Sequence, residues 1–578
     1  MSRHAPGIER HFHRPEEENQ ELLSKLFSEK VDRVIFSSME NTSVAVLREK
    51  QMDKITALFY LLKAMAIYPL DSSVELDVLL NCTNEVTGKE AEIKPDHAAL
   101  VGMCRVAAQE TKNIRCHVID MDDSTDIATI IDEMTADSQS DQVAYRENVR
   151  YVEVLEEMHP KRIERTKVSI KKGGTYLITG GFGGLGIEIA CWIAKNQPSH
   201  IVLLNRSRVP EHHLWKQIIE DNENEKVCEK LKRLLKIEEE GSDVSCYFAD
   251  VTEYDSLHTV IENVRAQFGK IDGIFHCAGV AGNGLLATKN VSTLKTVILP
   301  KVNGTLNLDL CTQTEDLDFF VMYSSISSFI GYMGQGDYSA ANAYMDAYAA
   351  YRVRQGKTAL AINWPIWKET GMAHEFGLGD GETILHPILP EQGMHILGDV
   401  ISLPVSRVIV GKLNYEVLRQ YQSEISIELS DEIKKRLSRN ETQEKSEKKQ
   451  TTMNFVGSDA LEIEQKVAQI YASTLEIESI SLEQSFYDMG GDSILATYLF
   501  KELDREFPGI VDVSDIFRYE TVGSMAEYVA NSLGITEGKT QSSENAEGNK
   551  ADEDELERLL NQLSDGEIDV DQAELFLK

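Results

Sequence analysis

A chain of 578 residues exceeds one hydrophobic core and, at roughly 100–200 residues per domain, divides into about three to five units. Its 42% hydrophobic and 27% charged residues are those of a globular protein. Its 59 Lys and Arg against 95 Asp and Glu leave a net charge of −36, which repels nucleic-acid phosphates and anionic membranes. Apolar runs such as Ala57–Leu62 fall far short of the roughly 20 residues that span a bilayer. His4, Arg10, Glu16 and Glu17 leave no room for the apolar stretch of a signal peptide. Cys82, Cys104, Cys116, Cys191, Cys228, Cys246, Cys277 and Cys311 form no Cys-x-x-Cys pair, and several sit in apolar strands. They predict reduced thiols in a cytoplasmic protein with no metal site and no partnership with nucleic acid or membrane.

In chain order, Val31–Ser37, Ser73–Cys82 and Arg115–Ile119 read as strands, with helices at Met52–Ala66 and Asp96–Glu110, a small α/β unit. From Gly173 to Asn363 the strands Thr175–Thr179, Ile201–Asn205, Val244–Asp250, Gly273–Cys277, Asp318–Ser324 and Thr358–Asn363 alternate with helix-length segments such as Gly186–Asn196 and Ser256–Phe268. That alternation predicts an α/β fold with a doubly wound, Rossmann-like parallel sheet. Lys434–Thr452 holds one Leu among charged and small polar residues and reads as a linker, as does Gly534–Ala551. The resulting division is 1–165, 166–433, a linker 434–454, a module 455–533, a linker 534–551 and a tail 552–578, with no internal repeat.

Strand Thr175–Thr179 runs into Gly180-Gly181-Phe182-Gly183-Gly184-Leu185-Gly186 and then an amphipathic helix. Residues 181–186 fit Gly-x-Gly-x-x-Gly, whose glycines permit a tight turn and close approach of a pyrophosphate to the positive end of the helix. A Gly-rich turn alone is weak evidence; its place between strand and helix makes it a dinucleotide site spanning Thr179 to Gly186. The next strand ends in Asn205-Arg206-Ser207, where Arg206 suits a 2′-phosphate and so favours NADPH over NADH. Asp250, followed by Val251, either accepts a hydrogen bond from the adenine amine or caps a helix.

Tyr338 and Asn342, at i and i+4, share one helix face. Ser325 lies upstream in Tyr-Ser-Ser-Ile-Ser-Ser, and Lys301 further upstream in Leu-Pro-Lys-Val-Asn-Gly. A Ser, a Tyr and a Lys around a nicotinamide can reduce a ketone: the hydroxyls bond the oxygen as it gains charge, and Tyr gives up its proton. A nearby ammonium then stabilises the phenolate. Taken singly, such residues are usually structural, and Ser324, Ser327 and Ser328 compete with Ser325 for the role.

These residues resemble a short-chain dehydrogenase/reductase, specifically the ketoreductase of modular polyketide synthases. Ordinary members of that superfamily carry Tyr-x-x-x-Lys, whereas here Asn342 holds the i+4 position and Lys301 provides the amine, as in polyketide ketoreductases. His276-Cys277-Ala278-Gly279, Pro300-Lys301-Val302-Asn303-Gly304 and Asn363-Trp364-Pro365-Ile366-Trp367 also match, and the resemblance covers about residues 30–425. It implies Lys301, Ser325, Tyr338 and Asn342 as catalytic, with Cys277, Ala278, Gly279, Lys301 and Tyr338 also contacting the cofactor. It further implies that the upstream half is a truncated, non-catalytic Rossmann-like subdomain, with Leu100–Glu110 its characteristic helix. Ala281-Gly282-Asn283 departs from the Leu-Asp-Asp of one hydride-delivery type, and Ile330 replaces the Trp frequent in the other.

The module 455–533 reads as a small all-helical bundle: a helix about Ala460–Thr474, a second stripe of Leu495, Leu499, Leu503 and Phe507, and a third near Thr521–Leu533. Asp492-Ser493 at a helix start is ordinarily a cap. Gly490-Gly491-Asp492-Ser493-Ile494, however, resembles acyl and peptidyl carrier proteins, which implies covalent 4′-phosphopantetheine on Ser493. The expected substrate is then a carrier-bound β-ketoacyl thioester, and a phosphopantetheinyl transferase is an expected partner. The tail, with ten acids against Arg558 and Lys578, is expected to dock to other synthase subunits, among them a ketosynthase and an acyltransferase acting in trans. No acyltransferase, ketosynthase or dehydratase motif occurs in the chain. The competing reading is a carrier scaffold with an idle reductase fold.

Overall fold

Five strands, Arg33–Ser37 (β1), Val74–Asn81 (β2), Ile114–Met121 (β3), Gln142–Arg146 (β4) and Val149–Val152 (β5), form the first sheet in that order, in a computed structural model of the chain. The structure describes residues 31–533 except 39–43, 68–72, 112, 137–139, 159–165, 167, 223, 376–382, 421–426, 445–458, 476, 478–479, 487–488, 490–492, 512 and 520. The expected docking tail and the linker before it lie outside these residues.

Strands β1 to β4 run parallel, joined by the helices Val44–Ile67, Pro95–Glu110 and Ile127–Thr135, while β5 returns antiparallel as a hairpin. The hairpin escaped the sequence reading. Its signal is the pair Glu147-Asn148, both at positive φ (52° and 60°), as a two-residue turn requires. A two-residue strand, Val154–Leu155 (β6), follows.

The second sheet is wholly parallel. Its strands are Thr175–Thr179 (β7), His200–Asn205 (β8), Asp243–Phe248 (β9), Gly273–His276 (β10), Phe319–Ser325 (β11), Leu360–Trp364 (β12) and Arg407–Ile409 (β13). They lie in the order β13-β12-β11-β10-β7-β8-β9. Strand order reverses between β7 and β10, so a crevice opens at their carboxyl ends, where doubly wound sheets bind ligands. This is the expected Rossmann-like architecture, and each expected strand of the sheet is present within a few residues. Nearly every residue of β7 and β8 is buried, because helices cover both faces.

The two halves are not separate globules. One apolar core contains Leu58, Phe59, Leu100 and Met103 from the first half and Ala340, Ala341, Tyr344 and Met345 from the second. The helix Pro95–Glu110 lies so close to the helix Gly336–Arg354 that a Cβ on Gly102 would stand 2.5 Å from the Ser339 carbonyl oxygen. A further strand, Glu428–Leu429 (β14), pairs in parallel with β6 and ties the end of the second half back to the first.

The expected linker from 434 needs correction. Asp431–Glu444 is a helix, with Ile433 fully buried and Leu437 5% exposed against Val417, Leu418 and Leu429. Few apolar residues suffice when the surface that receives them is already built, so composition alone hid the helix.

Among the described residues the carrier-like module has four helices, Asp459–Thr474, Ser493–Glu506, Val513–Arg518 and Val522–Ser532. Val467, Tyr471, Phe486, Leu499, Leu503, Phe507, Met525 and Val529 form its core. The expected stripe on the second helix is buried apart from Leu495, which is half-buried. Leu285 and Met333 of the second half belong to the same apolar cluster.

Candidate active site

The Gly-rich turn follows β7 at the switch point. Gly180 adopts φ +66°, open to glycine at little cost, and its N–H and that of Gly181 donate to the Leu204 carbonyl. A Cβ on Gly186 would stand 2.5 Å from the Gly181 carbonyl oxygen, so helix and turn pack backbone against backbone. The helix Gly184–Asn196 starts at Gly183 without a side-chain cap, leaving its first N–H groups to an anion.

A cleft of about 300 Å³ lies over this turn, lined by Gly180, Phe182, Gly183, Asn205, Arg206, Ser207, Asp250, Val251, Ala278 and Gly279 among the expected residues. Asn205 accepts from the Phe182 N–H at 2.7 Å through Oδ1, while its buried Nδ2 has no protein partner. A buried donor without an acceptor beside a glycine cradle fits a dinucleotide. Asp250 bonds the Thr252 N–H at 2.9 Å in a local turn; the helix Tyr254–Phe268 has Glu253 at its N-cap, so Asp250 is not that helix's cap.

The other expected cofactor residues stand off the lining. Thr179 is fully buried; its hydroxyl pairs with His276 Nδ1 at 2.7 Å and accepts from the N–H groups of Cys277 and Ala278 at 3.2 Å, joining β7 to β10. Gly181, Gly184, Leu185, Gly186 and Cys277 are likewise not part of the lining, and burial pushes the Cys277 thiol up. Arg208, Val280 and Pro300 line the cleft without having been anticipated. For Arg208 a signal existed, a second Arg two residues after the first; its guanidinium lies 5.2 Å from the Phe248 ring.

Lys301, Ser325, Tyr338 and Asn342 come together from three elements: the helix Val291–Cys311, the end of β11, and the helix Gly336–Arg354. Lys301 Nζ donates to the Tyr323 carbonyl at 2.8 Å and stands 5.6 Å from the Tyr338 ring centroid. Burial lowers its pKa to about 8, against the pull of Cys277 and Asp346. Room for the amine comes from Gly279, where a Cβ would meet Lys301 Cε at 2.9 Å. Burial raises the Tyr338 phenol, opposed by hydrogen bonding to Asn342 and Ser325. Asn342 Nδ2 donates to the Tyr338 carbonyl at 2.7 Å, and its Oδ1 is buried with no protein partner.

The neighbouring serines differ from Ser325. Ser324 donates to the Asn342 carbonyl at 3.3 Å, and Ser328 to Asp346 at 2.6 Å. Asn363 Nδ2 also reaches the Ser324 hydroxyl at 3.2 Å and the Ser328 hydroxyl at 2.8 Å. Ser327 Oγ is buried and unpartnered. Ser325 is half-buried, and its hydroxyl accepts from the Ser327 N–H at 3.2 Å, leaving its proton available.

The carrier motif falls partly outside the described residues, which lack Asp488 and Gly490–Asp492; Ser493 begins the helix Ser493–Glu506. No helix among the described residues is long and apolar enough to cross a membrane.

Comparison with known proteins matches the KR domain over residues 174–369 and the phosphopantetheine attachment site over residues 465–529. The chain is 26% identical over 474 residues to polyketide synthase PksN of Bacillus subtilis (strain 168), covering 79% of this chain and 8% of that protein. It is 35% identical over 243 residues to polyketide synthase PksM of the same organism, covering 42% of this chain and 5% of that one. The match to the related PksL covers 10% of that protein, so the chain spans a tenth or less of these curated relatives. Among solved structures, an N-terminal ketoreductase from the macrolactin assembly line is 25% identical at a TM-score of 0.58, covering 70% of this chain and 79% of that one. A ketoreductase domain from the bacillaene assembly line, 24% identical at a TM-score of 0.56, shares the fold, covering 67% of this chain and 94% of that one. Residues 174–369 thus hold a KR domain, an oxidoreductase domain that uses NADPH, and residues 465–529 a carrier domain whose attachment site takes covalent 4′-phosphopantetheine.

Proposed function

We propose that the chain reduces a β-ketoacyl thioester, carried on phosphopantetheine at Ser493, to the β-hydroxyacyl thioester during polyketide or polyketide–peptide synthesis. The observation that carries this reading is Lys301 Nζ at 5.6 Å from the Tyr338 ring, with Ser325 at the end of the adjoining strand and the dinucleotide cleft alongside.

Bound NADPH supplies the hydride that adds to the carbonyl carbon. The hydroxyls of Ser325 and Tyr338 hydrogen-bond the carbonyl oxygen, whose negative charge grows as the bond forms. Tyr338 gives that oxygen its proton and becomes a phenolate, which water reprotonates between turnovers. Lys301, positively charged below about pH 8, favours the phenolate electrostatically. Asn342, hydrogen-bonded to the Tyr338 carbonyl, holds the helix turn that aims the phenol. Arg206 in the cleft lining suits the 2′-phosphate of NADPH, and Asp250 suits the adenine amine.

Tethering raises the local concentration of substrate at the reductase. A phosphopantetheinyl transferase is the partner that would load Ser493. A ketosynthase and an acyltransferase acting in trans are the partners that would build the chain, and their docking to the acidic tail rests on its sequence alone.

The test is intact-protein mass spectrometry. Incubation with coenzyme A and a phosphopantetheinyl transferase is expected to add one pantetheine arm, lost in Ser493→Ala. Loading a β-ketoacyl group and adding NADPH is then expected to add two hydrogens. An arm that forms but is never reduced would favour the idle-scaffold reading.

A further inference from the structure

The helix Pro95–Glu110 belongs to the half without the four-residue site, yet three of its side chains reach across to the other half. Arg105 donates to the Ser328 carbonyl, and Gln109 Nε2 to the Ile330 carbonyl at 2.8 Å. Glu110 spans two segments at once. Its Oε2 accepts the Leu286 N–H at 2.7 Å, and its Oε1 accepts the Gly334 N–H at 2.9 Å.

Leu286 lies in the segment after β10, and Gly334 lies between Ser325 and Tyr338. The same segments are joined a second time. Lys289 Nζ pairs with Asp337 Oδ1 at 2.5 Å and reaches the Gly334 carbonyl at 3.3 Å, with the two charged side chains 3% and 0% exposed. Asp337 Oδ1 also accepts the N–H of Tyr338 at 2.8 Å. Gly282 is required here, since any Cβ on it would collide with that carboxylate.

We propose that Glu110 is a positioning residue of the reductase: its carboxylate fastens residues 282–289 to residues 331–337 and so sets the mouth beside Tyr338 that receives the carrier arm. A separate observation places the carrier at these segments. Leu285 and Met333, the chain neighbours of the two clamped residues, lie in the apolar cluster of the carrier core. The two oxygens of one carboxylate thus hold the two residues whose neighbours meet the carrier. The inference rests on the reductase reading above.

The experiment uses the full chain with Glu110→Ala and Glu110→Gln, and 3-oxobutanoyl N-acetylcysteamine as the substrate probe. NADPH affinity is read by fluorescence titration, kcat and KM by NADPH oxidation, and the two segments by amide hydrogen exchange. Glu110→Ala is expected to lower kcat at least tenfold and speed exchange in 282–289 and 331–337, with NADPH Kd within twofold of wild type. Glu110→Gln, which keeps one acceptor oxygen, is expected to fall between. Kinetics within twofold of wild type in Glu110→Ala would overturn the proposal, whatever the exchange shows. So would a loss of turnover matched by an equal loss of NADPH binding, which would make Glu110 structural only. If wild type leaves the thioester unreduced, the reductase reading falls, and exchange in the two segments alone decides whether Glu110 clamps them.

Discussion

Lys301 and Tyr338 stand together, the ammonium 5.6 Å from the ring centroid and pinned by the Tyr323 carbonyl at 2.8 Å. They come from different helices, and the amine keeps its place because Gly279 presents no side chain to it. From this pair follows the reading of Tyr338 as a proton donor with an electrostatic partner.

Replacing Tyr338 by Phe removes the proton and leaves the packing. Turnover of a β-ketoacyl thioester is expected to fall roughly 10²–10⁴-fold, the range for loss of general acid catalysis. NADPH affinity, measured by fluorescence titration, is expected to stay within about twofold.

The lowered Lys301 gives a pH test. Its charged form is present below about pH 8 and is lost as pH rises through that value, so kcat is expected to decline above about pH 8. In Lys301→Met the activity is expected to be low throughout and that alkaline limb to vanish. A wild-type profile flat from pH 7 to 9.5 would contradict this role.

Arg206→Ala is expected to weaken NADPH at least tenfold while changing NADH by less than about threefold, since only NADPH carries the 2′-phosphate. Initial rates with each cofactor over a concentration series measure the ratio.

Gly102→Ala forces a methyl group against the Ser339 carbonyl, one residue from Tyr338. Overpacking of this kind costs about 1–3 kcal/mol. Thermal denaturation is expected to show that loss, and turnover is expected to drop as well, although residue 102 lies in the half without the four-residue site.

Burial raises Glu110 to about 7 from an ordinary value near 4.5, outweighing the two N–H donors and Lys289, with the Asp337 carboxylate adding to the rise. Between those values the folded chain holds a proton that the unfolded chain has released. The stabilising contribution is therefore present below about pH 4.5 and lost as pH rises through 7. Relative to Glu110→Gln, wild type is expected to lose on the order of 2–3 kcal/mol between pH 5 and 8 in urea unfolding.

Much of this site could be read along the chain because its signals are local. Gly180–Gly186 stands between a strand and a helix, Tyr338 and Asn342 are one helical turn apart, and Ser493 opens a helix behind its glycines. The strands of the main sheet were legible for the same reason, since burial on both faces leaves short continuous apolar runs. The hairpin at Glu147-Asn148 and the helix Asp431–Glu444 were missed: the first turns on backbone dihedrals, the second on a surface provided by distant residues.

Within the site, the Gly-rich motif and the strand after it named Thr179 beside Asn205, and the family resemblance named Cys277 beside Gly279. Only the fold separates residues that line the cleft from those that fasten β7 to β10, because a strand end presents alternate side chains to opposite sides. Likewise the four serines of Ser324-Ser325-Ile326-Ser327-Ser328 look alike in sequence, and it is Asp346 and Asn363, brought in by another helix and strand, that engage Ser324 and Ser328 and leave the Ser325 hydroxyl proton available. The sequence by itself determined the chemistry available: the glycines, the tyrosine, the lysine and Ser493. Tertiary structure decided which groups meet, most plainly at Glu110, whose two oxygens join segments far apart in the chain and whose role no local pattern encodes.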